Sequence, residues 1–188
     1  MGDARIIEVL QSGGLVVMPT DTIFGILADA SNVSAVGDVY ALRNRPLDKP
    51  CIVLCGNVDQ VRALVDISDD ALRAVLGLDI YSDEHATTII APALNGTSHI
   101  HRGHHTIAIR VPKIHTPHGA MLRKIVEEVG PLIAPSANPA GENPADSIDA
   151  ATAYFGEKVD LYIPPVHQLS VHPSRIYDAT GINMKRVR

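Results

Sequence analysis

Cysteine is nearly absent: the 188 residues include two, Cys51 and Cys55, both in the pentapeptide CIVLC. A disulfide framework is a poor fit, and at strand spacing the two thiols share one face as buried, reduced side chains. No apolar run approaches the roughly 20 residues that span a bilayer. The opening MGDARIIEVL has an acid where a secretory leader needs a base. The expectation is a cytoplasmic protein with no membrane segment. An excess of positive charge is missing too, since 16 Lys and Arg face 21 Asp and Glu for a net charge of −5. That balance argues against broad, sequence-independent binding to nucleic acid, so any polyanion site has to be local. The motifs G-x-x-x-x-G-K-[ST], G-x-G-x-x-G and G-x-S-x-G do not occur. A nucleotide would therefore be held by something other than a P-loop or a Rossmann turn.

What is present is a chain long enough to bury a core, 46% hydrophobic, with no repeat, linker or low-complexity stretch. It reads as a single domain over 1–188. Helical periodicity runs from Asp3 to Ser12, from the Ser31-Asn32 cap to Arg43, over Asn57–Val65, Ser68–Leu76 and His118–Val129, and over Ser147–Phe155. Apolar strand-like segments lie between them: LVVM, IFGILADA, CIVLC, ATTIIAP, HTIAIRVP, LIAP, DLYIP, SRIYDAT and INMKRVR. This alternation predicts an α/β fold with a twisted, open, mixed sheet and helices packed on it. Irregular polar loops follow three strands, at PTDT, at the IRVPK turn and at SANPAGENP. Ligands gather at strand ends in open sheets, so the chemistry is expected there.

The most unusual segment is RNRPLDKP, which puts Arg43, Arg45 and Lys49 on a loop braced by two prolines. Arginine forks and a lysine point charge suit phosphate oxygens, and prolines reduce the entropy lost when such a loop orders around a ligand. Alternatively Arg43 favours the helix C-terminus and the other two are simply solvated. Thr20, Asp21 and Thr22 could orient a small polar substrate, or could cap their own turn. Ser136 and Asn138 suit a ribose, a base edge or a phosphate oxygen, or form an ordinary Asn-Pro turn. Arg110 stands in an otherwise apolar strand, where it either snorkels out or meets an anion such as a substrate carboxylate. The histidines of the 93–104 turn and beyond (His99, His101, His104, His105, His115, His118) could attract zinc. They lack a helical H-x-x-x-H pair with a carboxylate and have no cysteine nearby, and an exposed turn is the plainer reading. Asp83, Glu84 and His85 form a further polar group just before a strand.

Read in order, PTDTIFG, LRNRPLDKP, IAIRVP, PSAN and PSRIYDATG resemble the YrdC/YciO family, whose best-known members are threonylcarbamoyl-AMP synthases. The likeness runs from about Arg5 to Arg188 and matches the short form, without an additional C-terminal domain. The resemblance implies a deep basic concave cleft and a reaction joining L-threonine, bicarbonate and ATP into threonylcarbamoyl-AMP and pyrophosphate. A partner enzyme would then transfer the threonylcarbamoyl group to an adenosine beside the tRNA anticodon. The family's K-x-R corresponds to Arg43-Asn44-Arg45, and its next lysine to Lys49. Its PT-x-T corresponds to Thr20 and Thr22, its strand arginine to Arg110, and its S-x-N to Ser136 and Asn138. Ser174 falls where the family has a nucleotide-side contact. Expected roles follow: Arg43, Arg45 and Lys49 on the triphosphate, Thr20, Thr22 and Arg110 on threonine, and Ser136, Asn138 and Ser174 on the nucleotide. Magnesium is expected with ATP, with no protein ligand assigned, and contact with tRNA or double-stranded RNA would use the same cleft. Four departures stand out. Arg43 replaces a lysine, Phe24 a tyrosine and the Leu54-Cys55 region a histidine, while GLDIYSDEHATT stands where an aromatic-Pro-Gly-Pro segment is usual. A YciO-like paralogue that binds nucleotide or RNA without synthase activity is the alternative, and retention of S-x-N favours the synthase.

Overall fold

The computed structural model describes residues 2–77, 86–167 and 173–188. Helix starts follow local chemistry. Asn32, Asn57, Ser68, Thr116 and Ser147 each accept, through the side chain, the N–H three residues on, which satisfies one of the first-turn donors left without an intrahelical partner. The helices so begun are α2 (Val33–Leu42), α3 (Val58–Leu64), α4 (Asp69–Leu76), α6 (Pro117–Val129) and α7 (Ile148–Phe155). Two more are α1 (Asp3–Gln11) and α5 (Ser98–His101). The latter is a single turn within the histidine-bearing segment, where the sequence pattern predicts only a connection.

Among the described residues nine strands form one mixed sheet. They are β1 (Val16–Pro19), β2 (Phe24–Asp29), β3 (Ile52–Leu54), β4 (Thr87–Pro92), β5 (Thr106–Arg110), β6 (Leu132–Ile133), β7 (Leu161–Tyr162), β8 (Arg175–Asp178) and β9 (Lys185–Arg186). Their order is β7-β1-β2-β6-β3-β5-β4-β8-β9. Strands β1 and β7, β3 and β5, and β4 and β8 pair in parallel, and the remaining neighbours are antiparallel.

Strand periodicity divides the core between two faces. Val16, Met18, Leu27, Leu54 and Leu132 pack with Ile6 and Leu10 of α1 and with Leu122, Ile125 and Val126 of α6. Val17, Ile26, Val53, Ile109 and Ile133 point the other way, into the larger layer with α2, α4 and α7. Cys51 and Cys55 lie in that second layer beside Val53, buried and unpaired, as the i, i+2, i+4 spacing predicts. Among the described residues no helix is long and apolar enough to cross a membrane.

Two features of this framework position the site. Residue 54 of β3 pairs with Arg110 of β5, which pairs with Thr88 of β4, which pairs with Ile176 of β8, so four chain segments arrive in one row. Gly119 in α6 lets the 110–113 turn press against that helix, because a Cβ there would overlap the Lys113 carbonyl oxygen. The polar group at 83–85 and most of the unusual segment GLDIYSDEHATT lie outside the described residues.

Candidate active site

The three polar loops do converge. A cavity of about 670 Å³ is lined by the β1–β2 turn (Thr20, Thr22), the β5 end (Arg110), the β6 end (Ser136) and Ser174 and Arg188 from the C-terminal strands. Its volume is within the roughly 300–1,000 Å³ common for small-molecule sites. Apolar wall is supplied by Phe24, Ile52 and Ala134, with Pro144 and Asp146 of the long loop opposite.

Thr20 Oγ1 donates to the Ile23 carbonyl (2.7 Å) and accepts from Thr22 N–H (3.1 Å), so this hydroxyl builds its own turn. Among the described residues Thr22 Oγ1 meets Thr20 Oγ1 alone, at 3.0 Å, which leaves accepting capacity on a residue that lines the cavity. Asp21, between them, turns inward. Its Oδ1 lies 3.2 Å from Arg110 Nη2, and Lys113 N–H donates to its Oδ2 at 3.4 Å. The strand arginine therefore meets an anion from within the chain, in a pair whose side chains are 4% and 0% exposed. Arg110 Nε is without a hydrogen-bond partner among the described residues. Arg188, which motif reading passes over, also lines the cavity and donates from Nη2 to the Ser174 carbonyl at 3.1 Å. Burial and the nearby Arg110 cation lower its pKa. Ser174 Oγ is within 2.8 Å of Thr88 Oγ1, both buried.

Arg43 is the structural link between the cationic loop and the S-x-N loop. It is 3% exposed. Its Nε donates to the Asn138 carbonyl (2.8 Å), and its Nη2 to Ser136 Oγ (3.2 Å) and Asn138 Oδ1 (3.3 Å). The Ala140 N–H donates to the Arg43 carbonyl at 2.7 Å. Burial, followed by the neighbouring Arg45 cation, pushes the Arg43 guanidinium down to about 10, so it stays charged at neutral pH. Its Nη1 is buried without a hydrogen-bond partner among the described residues. No carboxylate among the described residues pairs with it. Asn138, for its part, spends both amide hydrogens on the Pro139 and Glu142 carbonyls, and so braces the loop rather than lining the cavity.

The K-x-R spacing has a conformational origin. Asn44 N–H donates to the Ala41 carbonyl and Arg45 N–H to the Tyr40 carbonyl, with Asn44 at φ 48°. This is a Schellman cap of α2 with asparagine at its left-handed position, and it sends the two arginine side chains in different directions. Arg45 folds onto its own loop, donating to the Lys49 and Pro50 carbonyls (both 2.9 Å). Lys49 is exposed, and neither Arg45 nor Lys49 lines the cavity. Asn44→Gly should leave stability within a few tenths of a kcal/mol. Asn44→Val should cost about 1–2 kcal/mol in urea unfolding, because a β-branched residue resists that φ.

The histidine-bearing turn does not gather a metal site: no three His, Cys, Asp or Glu side chains converge among the described residues. His99 Nε2 bonds the Ala30 carbonyl (2.8 Å), and His104 Nε2 bonds the Asp48 carbonyl. His118 is buried at the start of α6, accepting at Nε2 from Val166 N–H (3.2 Å). Burial and then His167 lower its pKa.

Comparison with known proteins bears on this geometry. The family model Sua5_yciO_yrdC, described as telomere recombination, matches residues 8–188. A threonylcarbamoyl-AMP synthase of Acinetobacter baylyi is 33% identical over 183 residues, covering 94% of this chain and 92% of its own. One from Pseudoalteromonas translucida is 32% identical over 178 residues, covering 94% and 92%. The fold of P. abyssi Sua5, solved in complex with L-threonine, superposes with a TM-score of 0.84 at 23% identity over 99% of this chain. The present chain spans 53% of that protein. E. coli YciO superposes at 0.80 and 19% identity, covering 99% of this chain and 87% of YciO. With a family model matched almost end to end and relatives above 30% identity along nearly their whole length, this chain belongs to the Sua5/YciO/YrdC family.

Proposed function

We propose that the protein is a threonylcarbamoyl-AMP synthase, joining L-threonine, bicarbonate and ATP into threonylcarbamoyl-AMP and pyrophosphate, with one water lost as the threonine amine and bicarbonate form the carbamate. The name is that of its relatives at about a third identity over most of both chains. The observation that carries the reading is Arg43, a buried cation that among the described residues has an unpartnered Nη1 and no carboxylate partner, fixed against the Ser136 edge of the cavity. A buried charge of this kind is stabilised by an anionic ligand.

In the proposed reaction an oxygen of the threonine carbamate bonds to the α-phosphorus of ATP. The bond to the bridging oxygen breaks, and its electron pair leaves with pyrophosphate. Both reactants are anions, so catalysis consists of positioning and charge neutralisation without a covalent protein nucleophile. Arg43, Arg45 and Lys49 would hold the phosphates and the departing pyrophosphate. Arg110, half-neutralised by Asp21, would take the threonine carboxylate, and Thr22 with Thr20 would orient its amine or hydroxyl. Ser136 and Ser174 would contact the nucleotide, with Asn138 holding the loop in place. Magnesium would enter on the ATP phosphates. Asp146, on the cavity wall and in no ion pair among the described residues, would be the carboxylate to assist it. The product is a mixed anhydride, to be consumed by a transferring enzyme acting on tRNA.

Purified protein should release pyrophosphate from ATP only when L-threonine and bicarbonate are both present. Release independent of threonine would overturn the reading, as would folded protein that binds ATP and makes no adenylate. The latter outcome would place the chain with non-synthase nucleotide binders.

A further inference from the structure

Loop 43–50 presents a mechanical problem. Leu47, its one large apolar side chain, is 64% exposed and anchors nothing. Pro46 and Pro50 contribute no N–H, and residues 46–49 are all exposed. Backbone bonds hold its start (Arg45 N–H to the Tyr40 carbonyl, 3.0 Å) and close the turn from Lys49 N–H to the Pro46 carbonyl (3.1 Å), and beneath three successive carbonyls at its end lies a set of side-chain donors. The Asp48 carbonyl is bonded by His104 Nε2. The Lys49 carbonyl accepts from Tyr40 Oη (3.0 Å) and Arg45 Nε (2.9 Å), and the Pro50 carbonyl from Arg45 Nη2 (2.9 Å). Because a carbonyl only accepts, His104 carries its hydrogen on Nε2.

The donors are themselves held. The Arg102 guanidinium carbon sits 4.2 Å from the centroid of the Tyr40 ring, a cation–π contact that fixes the ring beneath the loop. Arg102 and His105 both have left-handed backbone, at φ 51° and 56°, a conformation unfavourable for non-glycine residues that persists only where surroundings enforce it. The far end of the turn is tied to the end of β2 through His99 and the Ala30 carbonyl, at 2.8 Å. Burial, followed by proximity to Cys51, raises the Tyr40 hydroxyl to about 12, so it keeps its proton at any working pH. None of these three residues belongs to a ligand-binding motif or lines the cavity.

We propose that Tyr40, Arg102 and His104 are positioning residues that hold the 43–50 loop in its polyphosphate-binding conformation, so that the histidine-bearing turn sets affinity for the triphosphate. The inference rests on the reading that this loop binds the phosphates of ATP. A loop ordered before binding loses less conformational entropy when the ligand arrives, and that difference should appear as affinity.

The test is calorimetric titration with inorganic tripolyphosphate and, separately, with L-threonine, alongside steady-state kinetics in ATP. Tyr40→Phe removes one hydroxyl and keeps the ring under Arg102. His104→Ala removes a donor, and His104→Gln returns an amide N–H near the Nε2 position. Tyr40→Phe and His104→Ala should each weaken tripolyphosphate binding about three- to tenfold, the range for loss of one hydrogen bond. His104→Gln should recover most of it. Threonine affinity, kcat and melting temperature should hardly change, while KM for ATP rises in parallel. Unchanged tripolyphosphate affinity in both variants would overturn the inference. So would a fall in threonine and tripolyphosphate affinity together with melting temperature, or a wild-type protein that does not bind tripolyphosphate. Wild-type protein that binds tripolyphosphate but makes no adenylate would refute the synthase reading alone, and the binding series would still decide the role of the turn.

Discussion

Arg110→Ala should destabilise the protein by about 3–5 kcal/mol, the largest stability loss expected from any single polar substitution at the site. The reason is the residue left behind. Asp21 has a fully buried side chain, and among the described residues its partners are Arg110 Nη2 and the long 3.4 Å bond from Lys113 N–H. With the guanidinium gone, a carboxylate stays in a dry environment without its countercharge, and that orphaned charge dominates the cost. Removing both members should be milder. Arg110→Met combined with Asp21→Asn should recover at least about 2 kcal/mol relative to Arg110→Ala, since a buried pair replaced by neutral groups of similar volume is often close to neutral. Urea unfolding at fixed pH checks both, with the interaction read from the double-mutant cycle. If Arg110→Ala unfolds within 1 kcal/mol of wild type, the pair is not buried in solution. Activity should vanish in the single and the double variant alike, which separates the structural part of the pair from its proposed contact with threonine.

The contrast between local and long-range information explains what could be read from the chain. The starts of the capped helices were legible because each depends on one side chain that accepts the N–H three residues on, as Asn57 and Ser68 illustrate. Strands were legible where apolar runs lay between turn residues, and Cys51 and Cys55 fell on one face because strand periodicity requires it. The three polar loops also marked the cavity correctly, since all follow buried strands. Pairings across the sheet were not legible. Arg43 reaches residues 93 and 95 positions away, and Asp21 meets Arg110 across 89, because β6 and β5 are brought to the same region by a strand order that local pattern does not fix. Arg188 shows the same limit, having no motif and reaching the cavity through β8–β9 pairing. The single turn α5 escaped notice for another reason. Four residues carry too little periodicity to register, and the first left-handed residue that follows it, Arg102, is of a type without special preference for that conformation.

Arg43→Ala should act in the opposite sense to Arg110→Ala, with a large loss of activity and a small loss of stability. Its partners are neutral: the Asn138 carbonyl, Asn138 Oδ1 and Ser136 Oγ. Leaving such acceptors unpaired costs about 1–3 kcal/mol, but the substitution also removes a buried cation that no carboxylate among the described residues neutralises, and relief of that desolvation offsets part of the cost. A net change below about 2 kcal/mol is expected. Turnover should fall about 10²–10³-fold, as when one preorganised donor is removed from a developing charge. Arg43→Lys, which restores the lysine usual in the family, should lie between. It keeps the charge, but a single ammonium cannot reach both acceptors of Asn138 and Ser136 in the fixed directions of a guanidinium fork. Asn138→Ala should reproduce much of the Arg43→Ala defect. The double variant should be little worse than Arg43→Ala alone, because the two side chains act through one contact. Pyrophosphate release and urea unfolding, measured on the same preparations, supply both readouts. Near wild-type turnover in Arg43→Ala would place the phosphate site elsewhere on the loop, whereas a stability loss as large as that of Arg110→Ala would make Arg43 a structural brace with no electrostatic part in the reaction.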